Sequence, residues 1–356
     1  MIQEIQQLQT SLAKCKGIDN KSEARLLLAI AQNYLNDRDY ANASHYLEEA
    51  LQISTDNHYE MIKVVSLIRK CELLNVTGNY PSAQALLDKT LILAKNAELH
   101  YEIAEVYYNA AVMKNGTLQY EETLALIPKA FQQMKEYEEE ITEPLKAVCY
   151  WVLAEAHEHL GNLKLAKDAF LECAERFKNV ENWEDRAKSL IKIGDMTRSP
   201  LEAERYFKEA IEISERLKSD ELLANAKLYC GKKFVDFDYD KAEILLTEAM
   251  EIADTNKMDD SLMHIYHHLT ELYSKKEDYH KLCFFGKELK RISQKRQLPL
   301  PYAFVQLVFA EYLLRLENKE EAIKYAQQAL NIYQRFGSIL EQEYMNRVML
   351  VIKACV

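Results

Sequence analysis

The 356-residue chain is poor in the residues that interrupt regular structure: it has 8 glycines and 6 prolines, and no Gly, Ser or Pro-rich linker. That excludes collagen-like and low-complexity architectures and favours helices joined by short turns. No stretch approaches the roughly eighteen consecutive apolar residues of a membrane span. The first ten residues, MIQEIQQLQT, lack the basic and then apolar plan of a secretory leader. A cytoplasmic protein without a membrane role is expected. Basic character is also short: the formal net charge is −11, which argues against a general phosphate-binding face and so against direct nucleic-acid binding. No CxxC pair occurs among the seven cysteines at 15, 71, 149, 173, 230, 283 and 355. An odd, unpaired set suits a reducing compartment. Nor is there a Gly-rich phosphate loop, a GxSxG elbow or a catalytic cysteine motif, so no catalytic residue and no cofactor is expected.

What the chain does have is a repeat. In DYANASHYLEEAL, residues 39–51, Tyr40, Ala43, Leu47 and Ala50 fall three or four apart, as one buried stripe of a helix requires. The small first position returns as Ala83, Thr123, Ala166, Ala203, Ala242, Leu282 and Ala322. The intervals from position 43 are 40, 40, 43, 37, 39, 40 and 40, which define eight units of about 40 residues. A fixed period of that size marks a solenoid, here all-α. Cys71, Cys173 and Cys230 occupy small buried positions of the pattern and read as packing residues.

Taken in order, residues 1–20 form an N-terminal capping helix with Ile2, Ile5, Leu8 and Leu12 on one face, 21–336 form about eight helix pairs, and 337–356 form a C-terminal capping helix. The sequence offers no hinge, so one continuous array is expected. Pro128 falls inside the second helix of the third unit and should make it irregular. The fifth unit is about three residues short, a deficit the pattern assigns to its turn. The acidic run from Glu136 to Glu140 reads as solvated.

An aromatic at the turn, a small residue three later and another seven beyond, after a first helix of large, large, small and aromatic residues, resembles the tetratricopeptide repeat. The pattern covers about residues 21 to 336. It is clearest in LLAIAQNYLNDRDYANASHYLEEAL, CYWVLAEAHEHLGNLKLAKDAFLEC and FAEYLLRLENKEEAIKYAQQAL, and it departs at Lys70, where a large apolar residue is usual. The resemblance implies a right-handed superhelix whose first helices line a concave groove for peptides or extended segments. The 40-residue unit and the Tyr, Lys and Glu-rich style are also similar to the peptide receptors of the Rap, NprR and PlcR kind in quorum sensing. VYYNAA, residues 106–111, carries that likeness, and it implies that Asn109 would hold a signal peptide's backbone. Residues 1–20 are too short for the helix-turn-helix or three-helix bundle of those proteins, so the chain reads as the sensing half without an output domain.

Helix periodicity gives groove candidates independently, since residues between the buried ones on each first helix face the inner curve. These are Arg25, Leu28 and Gln32; Arg69, Glu72 and Asn75; Tyr108 and Asn109; Trp151, Glu155 and Glu158. The series continues with Lys188, Lys192 and Asp195, with Lys227, with His264, His267, His268 and Glu271, and with Leu307 and Glu311. Asn and Gln can pair with a peptide backbone, Trp151 and Tyr108 can receive an anchor, and Arg69, Lys188, Lys192 and Lys227 can hold a carboxylate. His264 and His268 have metal-ligand spacing, with Glu271 one turn on. With no HExxH and no second ligand group, they read as pH-sensitive groove lining and not as a metal site.

The expected function is a non-catalytic binding module, a regulatory sensor of a short peptide or extended segment. A structural adaptor for folded partners is the alternative. A phosphatase-like regulator using Gln6 or Glu4 is a second alternative. Oligomeric state, including a homo-oligomer, stays open.

Overall fold

A computed structural model describes residues 2–135, 137, 139–336 and 342–356, and it reduces the 40-residue period to two 17-residue helices and two three-residue turns. The helices group into two compact units, 1–182 and 183–356. No linker in the sequence marks that division.

The first unit holds α1 (Ile2–Cys15), the pairs α2 (Asn20–Asn36) with α3 (Tyr40–Asp56), α4 (Glu60–Val76) with α5 (Tyr80–Asn96), and α6 (His100–Gly116) with α7 (Tyr120–Gln133), and then α8 (Glu139–His159) with α9 (Leu163–Asn179). The second holds α10 (Trp183–Met196) with α11 (Pro200–Leu217), α12 (Asp220–Phe234) with α13 (Tyr239–Thr255), α14 (Asp259–Lys275) with α15 (Tyr279–Lys295), α16 (Pro299–Arg315) with α17 (Lys319–Phe336), and the single α18 (Gln342–Cys355). Among the described residues there is no strand, and no helix is long and apolar enough to cross a membrane. Glu136, Glu138, the side chains of Glu139, Glu140 and Ile2, and residues 337–341 lie outside the described set.

The repeat stripe packs as its spacing dictates. Ala43, Leu47 and Ala50 are at most 1% exposed, as are Ala203, Phe207 and Ala210 in α11. Alanine lets paired helices approach closely, and the larger residue fills the gap between two of them. Cys71, Cys173 and Cys230 are buried and outside any disulfide, and burial pushes the Cys71 thiol up to about 12. Helix starts are fixed by side-chain caps where the sequence supplies them: Asp19, Asp39, Ser199, Ser219, Asp238 and Asp278 each accept a backbone N–H of the following turn.

The turns are more uniform than their composition. Except in the 197–199 turn, the middle residue of each three-residue turn among the described residues is left-handed, and most are not glycine: Arg38, His58, Glu98, Leu118 and Glu181 have φ from 54° to 61°, alongside Gly78 and Gly161. The two intervals that depart from 40 by three residues have local causes. The interval of 37 comes from a 14-residue α10, whose following turn keeps three residues, so the deficit lies in the helix and not in the turn. Ser199 as cap and Pro200 at the first helical position set where α11 must begin. The interval of 43 coincides with a 21-residue α8. Pro128 sits within α7, which ends at Gln133 after 14 residues, three fewer than α3 and α5.

Candidate ligand-binding faces

Consecutive first helices touch along each unit, α2, α4, α6 and α8 in one and α10, α12, α14 and α16 in the other. This row carries the polar candidates, and the two units hold different chemistry.

In the first unit the row is tied by cross-repeat polar contacts. Asn75 Nδ2 donates to the carbonyl of Asn109 at 3.0 Å. Forty residues on, Asn115 Nδ2 donates to the carbonyl of Val152 at 3.1 Å. The two asparagines hold the same repeat position, so each binds a first helix to the next. Asn75 is 7% exposed, and its Oδ1 is a buried acceptor without a hydrogen bond. Asn109, 3% exposed, donates its amide to the Glu105 carbonyl within its own helix at 3.0 Å.

Above this ladder Arg69 bridges two repeats. Its Nη2 is 2.5 Å from Glu105 Oε1 on α6, and its Nη1 is 3.2 Å from Glu72. Burial lifts the Glu105 carboxyl above its ordinary range, with Arg69 opposing. Burial also raises the half-exposed Tyr108 hydroxyl, with Cys149 and Glu72 adding to the rise. Trp151 packs edge-on to Phe170, with ring centroids 5.2 Å apart. Arg25 is exposed, Gln32 bonds to Asn36, and Leu28 packs partly into the first core cluster. Glu155 and Glu158 are half-buried.

In the second unit most candidate cations are ion-paired within the protein. Lys188 meets Glu184 and Asp185 at 2.8 and 2.9 Å, and Lys227 reaches Glu248 on the second helix α13 at 2.6 Å. Asp195 takes Lys232 at 2.8 Å, and Lys192 is half-buried. Leu307 belongs to the core: it is fully buried in a cluster with Val348 and Val351 of α18, and so does not face a groove. Glu311 accepts from Nε and Nη2 of Arg347 on α18 at 2.9 and 2.7 Å.

The histidines converge. His264 is exposed, while His267 and His268 are half-buried beside Glu271. They line one side of a cavity of about 290 Å³ with Phe304, Tyr333 and Tyr344. A second cavity of about 500 Å³ lies between Lys275, Glu271, Glu311 and Arg347. Periodicity found the α14 residues because they share one helix face. It missed Glu105, Asn115, Lys275 and Tyr344, of which only Asn115 carried a signal, its 40-residue offset from Asn75.

Residues 24–57 and 147–179 match the tetratricopeptide repeat family. No curated protein sequence matches the chain. Among solved structures it is similar to a Rap protein complexed with the Competence and Sporulation Factor, at 13% identity over 95% of this chain and 97% of that one, with a TM-score of 0.59. It is equally similar to the apo quorum sensor NprR of B. thuringiensis, at 17% identity over 95% and 100% of the two chains, TM-score 0.59. Aspartyl phosphate phosphatase F from Bacillus subtilis follows, at 14% identity over 92% of each chain, TM-score 0.56. Two segments of the chain match tetratricopeptide repeats, and its fold is that of the Rap and NprR structures.

Proposed function

We propose that the chain is a non-catalytic regulator that binds a short peptide, or an extended segment of a protein, along the polar faces of its first helices. The observation that carries this is the similarity in fold, over nearly the full length of both chains, to a Rap protein complexed with the Competence and Sporulation Factor and to a quorum sensor. Fold alone does not fix a ligand, so the site must supply the argument. In the first unit, Asn75 presents a buried, unpaired amide oxygen next to Asn109, and the same row of first helices carries Tyr108 and Trp151. An amide acceptor suits a peptide N–H, and the aromatics supply area for an anchoring side chain.

Native mass spectrometry of the protein purified from its own host, with release and sequencing of what it carries, tests this reading. A stoichiometric short peptide whose binding weakens at least tenfold in Trp151→Ala or Asn75→Ala supports it. Co-purification of a folded protein alone, unaffected by both variants, supports an adaptor instead. Faster dephosphorylation of a phosphorylated response regulator would establish the phosphatase-like reading.

A further inference from the structure

At about 100° per residue, His264, His268 and Glu271 fall within about 60° of one another around α14, with His267 adjoining. The side chains bear this out: one ligand atom from each of His267, His268 and Glu271 lies within 4.8 Å of the others. His268 Nδ1 is buried without a hydrogen bond, 3.7 Å from Glu271 Oε2. That separation is too long for a hydrogen bond and near the edge, about 3.3 Å, of a tetrahedron built on metal–ligand bonds of about 2.0–2.1 Å.

We propose that His267, His268 and Glu271 form a site for a divalent transition-metal ion of the Zn²⁺, Co²⁺ or Ni²⁺ class, with the exposed His264 completing it. Two further contacts leave the required atoms available. Lys275 Nζ holds Glu271 Oε1 at 3.1 Å, which leaves Oε2 for the ion. The Tyr344 hydroxyl lies 3.4 Å from His267 Nε2, which leaves Nδ1. Metal-binding imidazoles and carboxylates are held in this way, each oriented through its second polar atom. Stacking on Phe304, with centroids 3.7 Å apart, fixes the plane of the His267 ring, so rotation of His268 and Glu271 closes the set by about 1.5 Å.

The neighbouring cations are balanced, Arg347 by Glu311 at 2.7 Å and Lys232 by Asp195 at 2.8 Å. Imidazole and carboxylate ligands without thiolate favour this class of ion.

The test is titration of the chelator-treated full chain with Co²⁺, read by visible absorption, and with Zn²⁺ by calorimetry. One equivalent should bind with the spectrum of nitrogen-ligated cobalt. His268→Ala and Glu271→Gln should each lose at least thirtyfold in affinity. Tyr344→Phe should lose about tenfold through its contact with His267. His280→Ala, an exposed histidine of α15, should bind as the wild type does. Circular dichroism checks folding, and should His268→Ala not fold, the near-isosteric Glu271→Gln decides. Absence of saturable binding, or equal affinity in Glu271→Gln, overturns the site.

Discussion

The ring of Phe207 in α11 rests directly on the backbone of Gly194 in α10: a Cβ built on that glycine would lie 2.7 Å from two ring atoms. Phe207 is fully buried, so its ring has nowhere to move. Alanine in an open helix position would stabilise by about 1 kcal/mol relative to glycine. Here overpacking reverses the sign, and Gly194→Ala is expected to lose about 1–3 kcal/mol in urea unfolding. Gly116 is the control: its added methyl would meet the outer end of the half-exposed Tyr80, which can swing away, so Gly116→Ala should be near neutral or stabilising. A stabilised Gly194→Ala would show that α10 and α11 are not this close.

Leu118 occupies a left-handed turn position, with φ 61°. The left-handed conformation costs an ordinary residue about 1–2 kcal/mol, partly offset by the greater freedom glycine has in the unfolded chain. Leu118 is also 72% exposed, so its side chain gives up little packing. Leu118→Gly should therefore stabilise by about 0.5–1 kcal/mol, read as a rise of a few degrees in Tm. The same change at Ile18, an exposed residue outside the left-handed set, should not.

Much of the fold was legible because it is periodic. Tyr40, Ala43, Leu47 and Ala50 announce one helix face, and the alternation of two such helices every 40 residues leaves few other architectures. What stayed hidden depends on offsets between repeats. The pairing of Arg69 with Glu105 joins residues 36 apart on successive first helices, and only the stacking geometry brings them together. Leu307 matched the inner-face spacing, but α18 packs over it, a tertiary fact with no local signature. Lys227 turned out to serve α13 for a similar reason, since a long flexible side chain can leave the face its Cα suggests. The left-handed turns were unreadable because residues such as Glu98 and Leu118 carry no conformational signal of the kind glycine does.

Glu243 of α13 is the hub of a charged cluster, accepting from Lys276 at 2.6 Å, from Lys281 at 2.8 Å and from the Tyr273 hydroxyl at 2.7 Å. Burial opposes its charge, but these donors outweigh it and bring the carboxyl from 4.5 down to about 2. A depressed folded-state pKa means that the unfolded chain takes up the proton first, so the stabilisation is complete above about 4.5 and is lost as pH falls toward 2. The carboxylate is about a quarter exposed, so solvent screening reduces the contribution to about 1–2 kcal/mol. Glu243→Gln should lose that amount in urea unfolding at pH 7, and its difference from wild type should shrink steadily below pH 4.5. A difference that stays constant down to pH 3 would trace the effect to packing instead of charge.

Arg69 and Glu105 make the opposite case, because Glu105 is 8% exposed and its pKa is raised, chiefly by burial. Removing Arg69 strands a buried carboxylate, and Arg69→Ala should cost about 3 kcal/mol at pH 7. The carboxyl can escape by taking a proton. With a folded-state pKa above the ordinary 4.5, the native state binds protons that the unfolded chain does not, so stability falls as pH rises through that interval. Arg69→Ala should accordingly regain part of its loss between pH 7 and pH 5, and Arg69→Ala with Glu105→Gln should be more stable at pH 7 than Arg69→Ala alone. Urea unfolding of the two variants at both pH values measures this. A pH-independent loss, or no rescue by Glu105→Gln, would mean that Arg69 is held by its packing against α6 and that the charge pair contributes little.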